Sequence, residues 1–360
     1  MILTAMLALI LQPALVAFVA ATCECGYSVT TPNHGDPLIF TDAIESNFLT
    51  LDKLDSDNGW VPQQFNVTAK DGRGRYGKTF LPDNVVARPR AEDSAGEENA
   101  GLELVVGQKV EGDAVSGAEI DSKRLDLHWG SYRAGMKVTE VNGTCAAFFW
   151  YFNDTQEIDM EFLSREFDRD RGYFPVNLVV QTQQSKDAGF DASKTDHFKR
   201  INLGFNPAAD FHEYRFDYSP DKVVFFADGK VLAEMRGDGM PSSGGHLILQ
   251  HWSNGNPLWS GGPPEEDALL KVQYVRAYFN SSDMDTASRE KAMDGCLGSK
   301  RVCEVKDVTD GNVGTDENEA GDESTDDDEN DDDSRGARTV LALSPMGWTA
   351  TLAAMVGLLD

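Results

Sequence analysis

The chain has 360 residues, 41% of them hydrophobic, with 60 acidic side chains against 32 basic ones and a formal net charge of −28. That length admits two average domains or one large all-β domain with tails, and so acidic a chain is repelled by phosphate backbones, which excludes nucleic acid as a partner. The charge is concentrated: residues 304–333 carry fifteen acids and one base, Lys306, so a twelfth of the chain holds half of the net charge.

Residues 3–20 are apolar and uncharged, and small residues follow at Ala20, Ala21 and Thr22. This pattern predicts a secretory signal peptide over 1–22, cleaved before Cys23. The absence of Lys and Arg from the first 22 residues keeps a retained anchor open as the alternative. N-x-S/T sequons at Asn66, Asn142, Asn153 and Asn280 agree with a secretory route. Asn66, Asn142 and Asn280 are the candidate glycosylation sites, because a glycan on Asn153 would crowd the acidic segment that begins four residues later.

From Cys23 to Cys303 the chain reads as strands and turns. β-rich or alternating runs fall at 102–106, 131–138, 146–152, 157–162, 176–181, 213–218, 222–226, 245–251 and 271–279. Turn residues separate them, among them Asn142-Gly143, Ser219-Pro220-Asp221 and the two-residue hairpin Ala227-Asp228-Gly229-Lys230. Many short strands with turn signals predict an all-β sandwich.

One segment concentrates the chemistry. In 157–162, Glu157, Asp159 and Glu161 alternate with Ile158, Met160 and Phe162. On a strand the carboxylates share one face and the apolar groups the other. A structural sheet gains nothing from three adjacent anions, whereas glycoside hydrolysis needs a carboxyl pair, about 5 to 5.5 Å apart for the retaining route. One Glu must stay ionised to attack the anomeric carbon while the other holds a proton. Crowding by Asp159 supplies that asymmetry. The alternative is a helix placing Glu157 and Glu161 on one face, paired with Arg165; the clean alternation argues against it.

Five cysteines, Cys23, Cys25, Cys145, Cys296 and Cys303, predict two bridges and one thiol in an oxidising compartment. Fifteen arrangements are open. The preferred one joins Cys296 to Cys303 and one of the first two to Cys145. Beyond Cys303, residues 304–338 form a polar, acidic stretch with too little apolar surface to fold, expected to be a disordered stalk. Residues 339–360 hold a second uncharged run. Small residues, a polar spacer and an apolar tail match the signal for a glycosylphosphatidylinositol anchor, with Ser334 the best attachment residue and Asn330 next. A retained membrane-spanning tail is the competing reading, weakened by Pro345 and Gly347.

The segment EIDMEF resembles the catalytic signature of glycoside hydrolase family 16, E-x-D-x-E on one strand. Its lead-in WGSYRAGMKVTEVNGTCAAFFWYF, the later FHEYRFDYSPDKVVFFADGKVL and the Trp-bearing HWSNGNPLWSGGPP are similar to further landmarks of that family, the last particularly to secreted fungal members. These matches cover most of residues 125–280. The resemblance implies a jelly-roll β-sandwich of the concanavalin A-like type over 23–303, with a concave glycan-binding face. It also implies Glu157 as nucleophile, Glu161 as general acid/base and Asp159 as the residue that tunes the nucleophile. No residue is inserted between Asp159 and Glu161, as in the lichenase, xyloglucan-modifying and fungal cell-wall transglycosylase branches.

The activity so implied is a retaining endo-acting β-glucan hydrolase, secreted to the cell surface or cell wall and held by a lipid anchor, acting as a monomer. A glucan transglycosylase using the same residues and a non-catalytic lectin-like module are the alternatives. Trp150, Trp252 and Trp259 are candidates for stacking on sugar rings, and Arg133 and Asn254 for bonding sugar hydroxyls. His212 matches a recurrent family histidine, with a structural role equally open. No cofactor is required; the family often carries a structural calcium ion, whose ligands are not legible here.

Overall fold

The computed structural model describes residues 23–307 apart from 24, 31–36, 55–57, 91–99, 190, 286 and 288–301. The expected signal peptide, Cys296, Ser334, the expected stalk beyond Asp307 and the C-terminal apolar run lie outside the described residues. Two large sheets stack face to face. The first has ten strands, and its main path runs Phe198–Asn202, Pro175–Gln181, Gln156–Leu163, Cys145–Asn153, His246–Trp252, Ala114–Ser122, Gly77–Phe80 and Phe65–Val67. The second has eight, including Lys222–Ala227, His212–Ser219, Leu127–Lys137 and Ala268–Ser281. All nine runs expected from the sequence are strands. The fold is an all-β sandwich.

Alternation explains how the sheets meet. Ile158, Met160 and Phe162 point into one core with Phe148, Trp150, Leu178 and Leu249 of their own sheet and Tyr132, Tyr214, Phe216 and Phe225 of the other. Aromatic pairs cross the interface at Phe162–Tyr214 (4.6 Å between ring centroids), Trp150–Tyr218 (5.0 Å) and Phe148–Phe216 (5.1 Å). Each such pair is worth about 0.5–1.5 kcal/mol beyond the area it buries. A one-residue slip of the Gln156–Leu163 strand would push three carboxylates into this core, so its register is strongly fixed. The hairpin at Ala227–Lys230 forms as expected, with Asp228 and Gly229 both at positive φ (46° and 72°), the requirement of a type I′ turn.

A third, three-stranded sheet joins the two ends of the described chain. Tyr27–Val29 pairs antiparallel with Leu38–Phe40 and parallel with Cys303–Val305. This corrects the expected bridge: Cys303 bonds Cys23, not Cys296, because Cys303 sits opposite Tyr27 in the parallel ladder, with Cα atoms of the bridged pair 5.3 Å apart. Cys25 is also disulfide-bonded. Cys145, expected in a bridge, is a free thiol, fully buried in the ten-stranded sheet, while both N-terminal cysteines are bridged elsewhere. The folded region also continues past Cys303. Glu304 and Val305 are in a strand, and Asp307 pairs with Arg133 and Arg215 at 3.1 and 2.7 Å.

Candidate active site

Glu157, Asp159 and Glu161 lie on the face of the ten-stranded sheet turned away from the core, yet they are only 4%, 5% and 8% exposed. The strand pairs without interruption through the trio, Glu157 opposite Tyr151, Asp159 opposite Phe149 and Glu161 opposite Ala147. Among the described residues none of the three makes an ion pair. Arg165, the partner that a helix would have offered Glu161, instead bonds the Trp259 carbonyl and Glu166.

Burial is the first cause of every shift here, raising each carboxyl above its ordinary value. Asp159 is pushed well up and donates its proton to Glu157. That hydrogen bond favours the Glu157 anion and limits its rise to about 7. Glu161 goes to about 8, raised further by the charge of Glu157 and drawn back by hydrogen bonds from the Cys145 thiol, 3.6 Å away, and the Trp259 indole. The asymmetry expected from sequence is present, but its cause differs. Asp159 does not crowd Glu157 as a like charge; it is a neutral donor that stabilises the anion.

The sequence reading missed several neighbours. Glu119 and Asp121 of the Ala114–Ser122 strand share this face, three ladders away through Cys145–Asn153 and His246–Trp252. Gln250 donates to Glu119. Burial raises Glu119 to about 7 and Asp121 to about 9. The tripeptide Glu-Ile-Asp occurs at 119–121 as well as at 157–159, with Ile120 and Ile158 both in the core; that repetition was the available signal. Gln181, opposite Glu157, has its side-chain oxygen enclosed without a hydrogen-bond partner among the described residues. Lys78, 4% exposed, places its ammonium 4.3 Å from the centre of the Trp252 ring.

Of the expected sugar contacts, the two loop-side tryptophans join the site. Trp252 and Trp259 cluster with Cys145 and Leu163 on the acidic side of the sheet. Trp150 does not: it points into the core, fully buried, with its indole N–H on the Leu127 carbonyl at 2.9 Å. Arg133 belongs to the other sheet, on the outer face, where it is 1% exposed and paired with Glu213 and Asp307. Alternation decides both, since Tyr132 and Ala134 occupy the core positions on either side of Arg133. His212 is also on that second sheet, bonded to Asp228 at 2.7 Å and stacked on Phe205. Asn254 is 1% exposed and holds loops together, donating to the Gly72 carbonyl and accepting from Asn256 and Ser260. It therefore places the Trp259 loop rather than facing a ligand.

Asn66 and Asn142 are exposed, whereas Asn280 is half-buried with its side-chain oxygen enclosed. No group of three or more His, Cys, Asp or Glu among the described residues is arranged to hold a metal ion, so the structure singles out no calcium ligands.

The model of the family described as glycosyl hydrolases family 16 matches residues 87–276, just over half of the chain, and takes in the whole acidic strand. A β-glucanase of Paenibacillus polymyxa is 29% identical over 139 residues, 37% of this chain and 52% of that protein. A β-glucanase of Acetivibrio thermocellus is 30% identical over 165 residues, 44% of each. The chain thus spans about half the length of the curated relatives it matches. Among solved structures, a β-1,3-1,4-glucanase (lichenase) derived from a mouse hindgut metagenome superposes with a TM-score of 0.51 at 18% identity, over 66% of this chain and 98% of that one. The Bacillus licheniformis β-glucanase gives 0.50 at 18% identity, over 66% and 97%. At such identity the likeness is one of fold.

Proposed function

The chain belongs to glycosyl hydrolase family 16 and is a glycoside hydrolase, and from that premise we propose that it cleaves β-glucan chains internally with retention of configuration. The observation that carries this reading is the hydrogen-bonded row on one strand: an ionisable Glu157, a proton-bearing Asp159 beside it and Glu161 held protonated to a higher pH. Glu161 protonates the glycosidic oxygen while Glu157 attacks the anomeric carbon, the leaving chain departs with that proton, and a glycosyl ester forms on Glu157. Glu161, now ionised, takes a proton from water as the water oxygen attacks the same carbon, releasing Glu157. Asp159 keeps its proton throughout and shares it with whichever oxygen of Glu157 carries charge. Trp252 and Trp259 offer ring faces to the sugar and Gln181 a free acceptor to its hydroxyls.

The named relatives are β-glucanases, which supports a β-glucan with 1,3 or 1,4 linkages as the substrate class. The Trp-bearing loop at 251–264 supports a secreted cell-wall enzyme of the fungal type. The apolar N-terminal run, the bridge Cys23–Cys303 and the anchor-like C-terminus support export and attachment to the cell surface.

The test is the release of reducing ends from β-1,3-, mixed-linkage and β-1,4-glucans, with a labelled acceptor oligosaccharide present. Wild type should shorten at least one glucan, and E157Q should lose turnover by about 10⁴-fold or more while still binding it. E161Q should lose about 10²–10⁴-fold on glucans and far less on an aryl glycoside whose leaving group needs no proton. Full activity in E157Q would remove the nucleophile assignment. Label entering polymer in place of shortened products would move the chain to the transglycosylase reading.

A further inference from the structure

Taking Glu157 and Glu161 as nucleophile and acid/base, we infer that Lys78 is a further positioning residue of this site, a buried ammonium that faces the carboxyl groups of two strands and lowers the pH range over which the pair works. Lys78 lies on the short Gly77–Phe80 strand, paired in parallel with Ala114–Ser122, far in sequence from the acidic segment. It is 4% exposed, makes no ion pair among the described residues, and rests on the Trp252 face at 4.3 Å with Phe80 at 5.6 Å. A lysine enclosed this way costs its hydration without a carboxylate contact to offset it. A methionine would fill the same space without that cost.

The groups facing it show what the charge does. Glu119 comes from Ala114–Ser122, Cys145 from Cys145–Asn153, and Glu157 and Glu161 from Gln156–Leu163. The His246–Trp252 strand contributes the Trp252 ring and its own strand contributes Phe80, neither of them charged. Burial pulls the Lys78 ammonium down, and the four acidic groups push it back up. The effect is mutual: Lys78 favours the anions of Glu119, Glu157 and Glu161. This positive charge thus adds to the Asp159 hydrogen bond in opposing the burial that raises the nucleophile.

The experiment measures kcat/KM against pH on a soluble mixed-linkage β-glucan for wild type, K78M, K78Q and K78R, with E157Q as control. Removing the charge in K78M or K78Q should move both limbs of the profile upward by about one pH unit. K78R should restore the wild-type limbs. Neutral variants that lose activity but keep both limbs in place would reduce Lys78 to a packing role and overturn the inference. If neither neutral variant folds, as judged by circular dichroism and Tm, a K78R profile displaced from wild type overturns it, and a coincident one supports it. A second readout does not depend on turnover. Carbon-13 titration of labelled Glu carboxyls should show Glu157 and Glu161 both rising by about one unit in K78M. An inactive wild type or an active E157Q would sink the nucleophile reading, while the carboxyl titration would still decide the role of Lys78.

Discussion

Asp159 is held between two glutamates on one face of a strand, and three anions there would repel strongly at low dielectric. The site resolves this by leaving Asp159 protonated and turning it into a donor to Glu157. What Glu157 needs is therefore a donor of the right length rather than a negative charge. D159N keeps a donor at that position and should retain activity to within about tenfold, whereas D159A removes it and should lose about 10²–10³-fold in kcat. Equal losses in the two variants, measured on the same glucan, would show that the charge of Asp159 matters more than its proton. The same low-dielectric setting explains Cys145, whose thiol is raised by burial and the Glu161 charge and serves as a donor to Glu161 rather than as half of a bridge.

Strands and loops decide which side chains reach that row. The Asn254 amide ties the 254–261 loop to the Gly72 carbonyl, and a Cβ on Gly74 would meet the Asn254 carbonyl oxygen at 2.3 Å, so two loops close on the tryptophan side of the trio without room to spare. On the opposite sheet the Cys303–Val305 strand brings Asp307 over Arg133 and Arg215. Arg133 keeps Glu213 and Arg215 keeps Asp217 if Asp307 is removed. D307A should therefore destabilise the fold by about 1–3 kcal/mol, less than the loss of a sole partner. Urea denaturation should show a lower midpoint at unchanged slope. An unchanged midpoint would mean that the Asp307 ion pairs contribute nothing to the sandwich.

Across the whole molecule, the acidic face ties stability to pH. Glu119 and Glu157 near 7, Glu161 near 8 and Asp121 near 9 keep protons that the unfolded chain releases around 3.8–4.5. Asp159 does so as well. Between those limits the native state binds more protons than the unfolded one, so stability is greatest in acid and falls as pH rises. His246 and His251, pushed down to about 4 by burial, act in the opposite sense, but only between about 4 and 6.5. Tm should therefore decline from pH 5.5 to pH 9, and the E119Q/D121N double variant should flatten the decline. A Tm that rises over that interval would contradict the protonated row.

The sequence alone determined the period-2 pattern, and with it the strands, the sandwich and the shared face of Glu157, Asp159 and Glu161, because side-chain alternation is local and needs no partner. It also determined the Asp228-Gly229 hairpin, which two positive φ angles require. Neighbours across a sheet were decided only by the tertiary structure. Ala114–Ser122 carries Gly117 and two acids, so it lacks the apolar signal of a strand, and Lys78 sits on four residues with no pattern at all. Trp150 and Arg133 differ from Trp252 by the face that alternation gives them, and which face is core and which is cleft is decided only when the two sheets stack. The bridge Cys23–Cys303 closes a separation of 280 residues, a distance over which spacing says nothing and only the meeting of the two chain ends in one ladder chooses the partner.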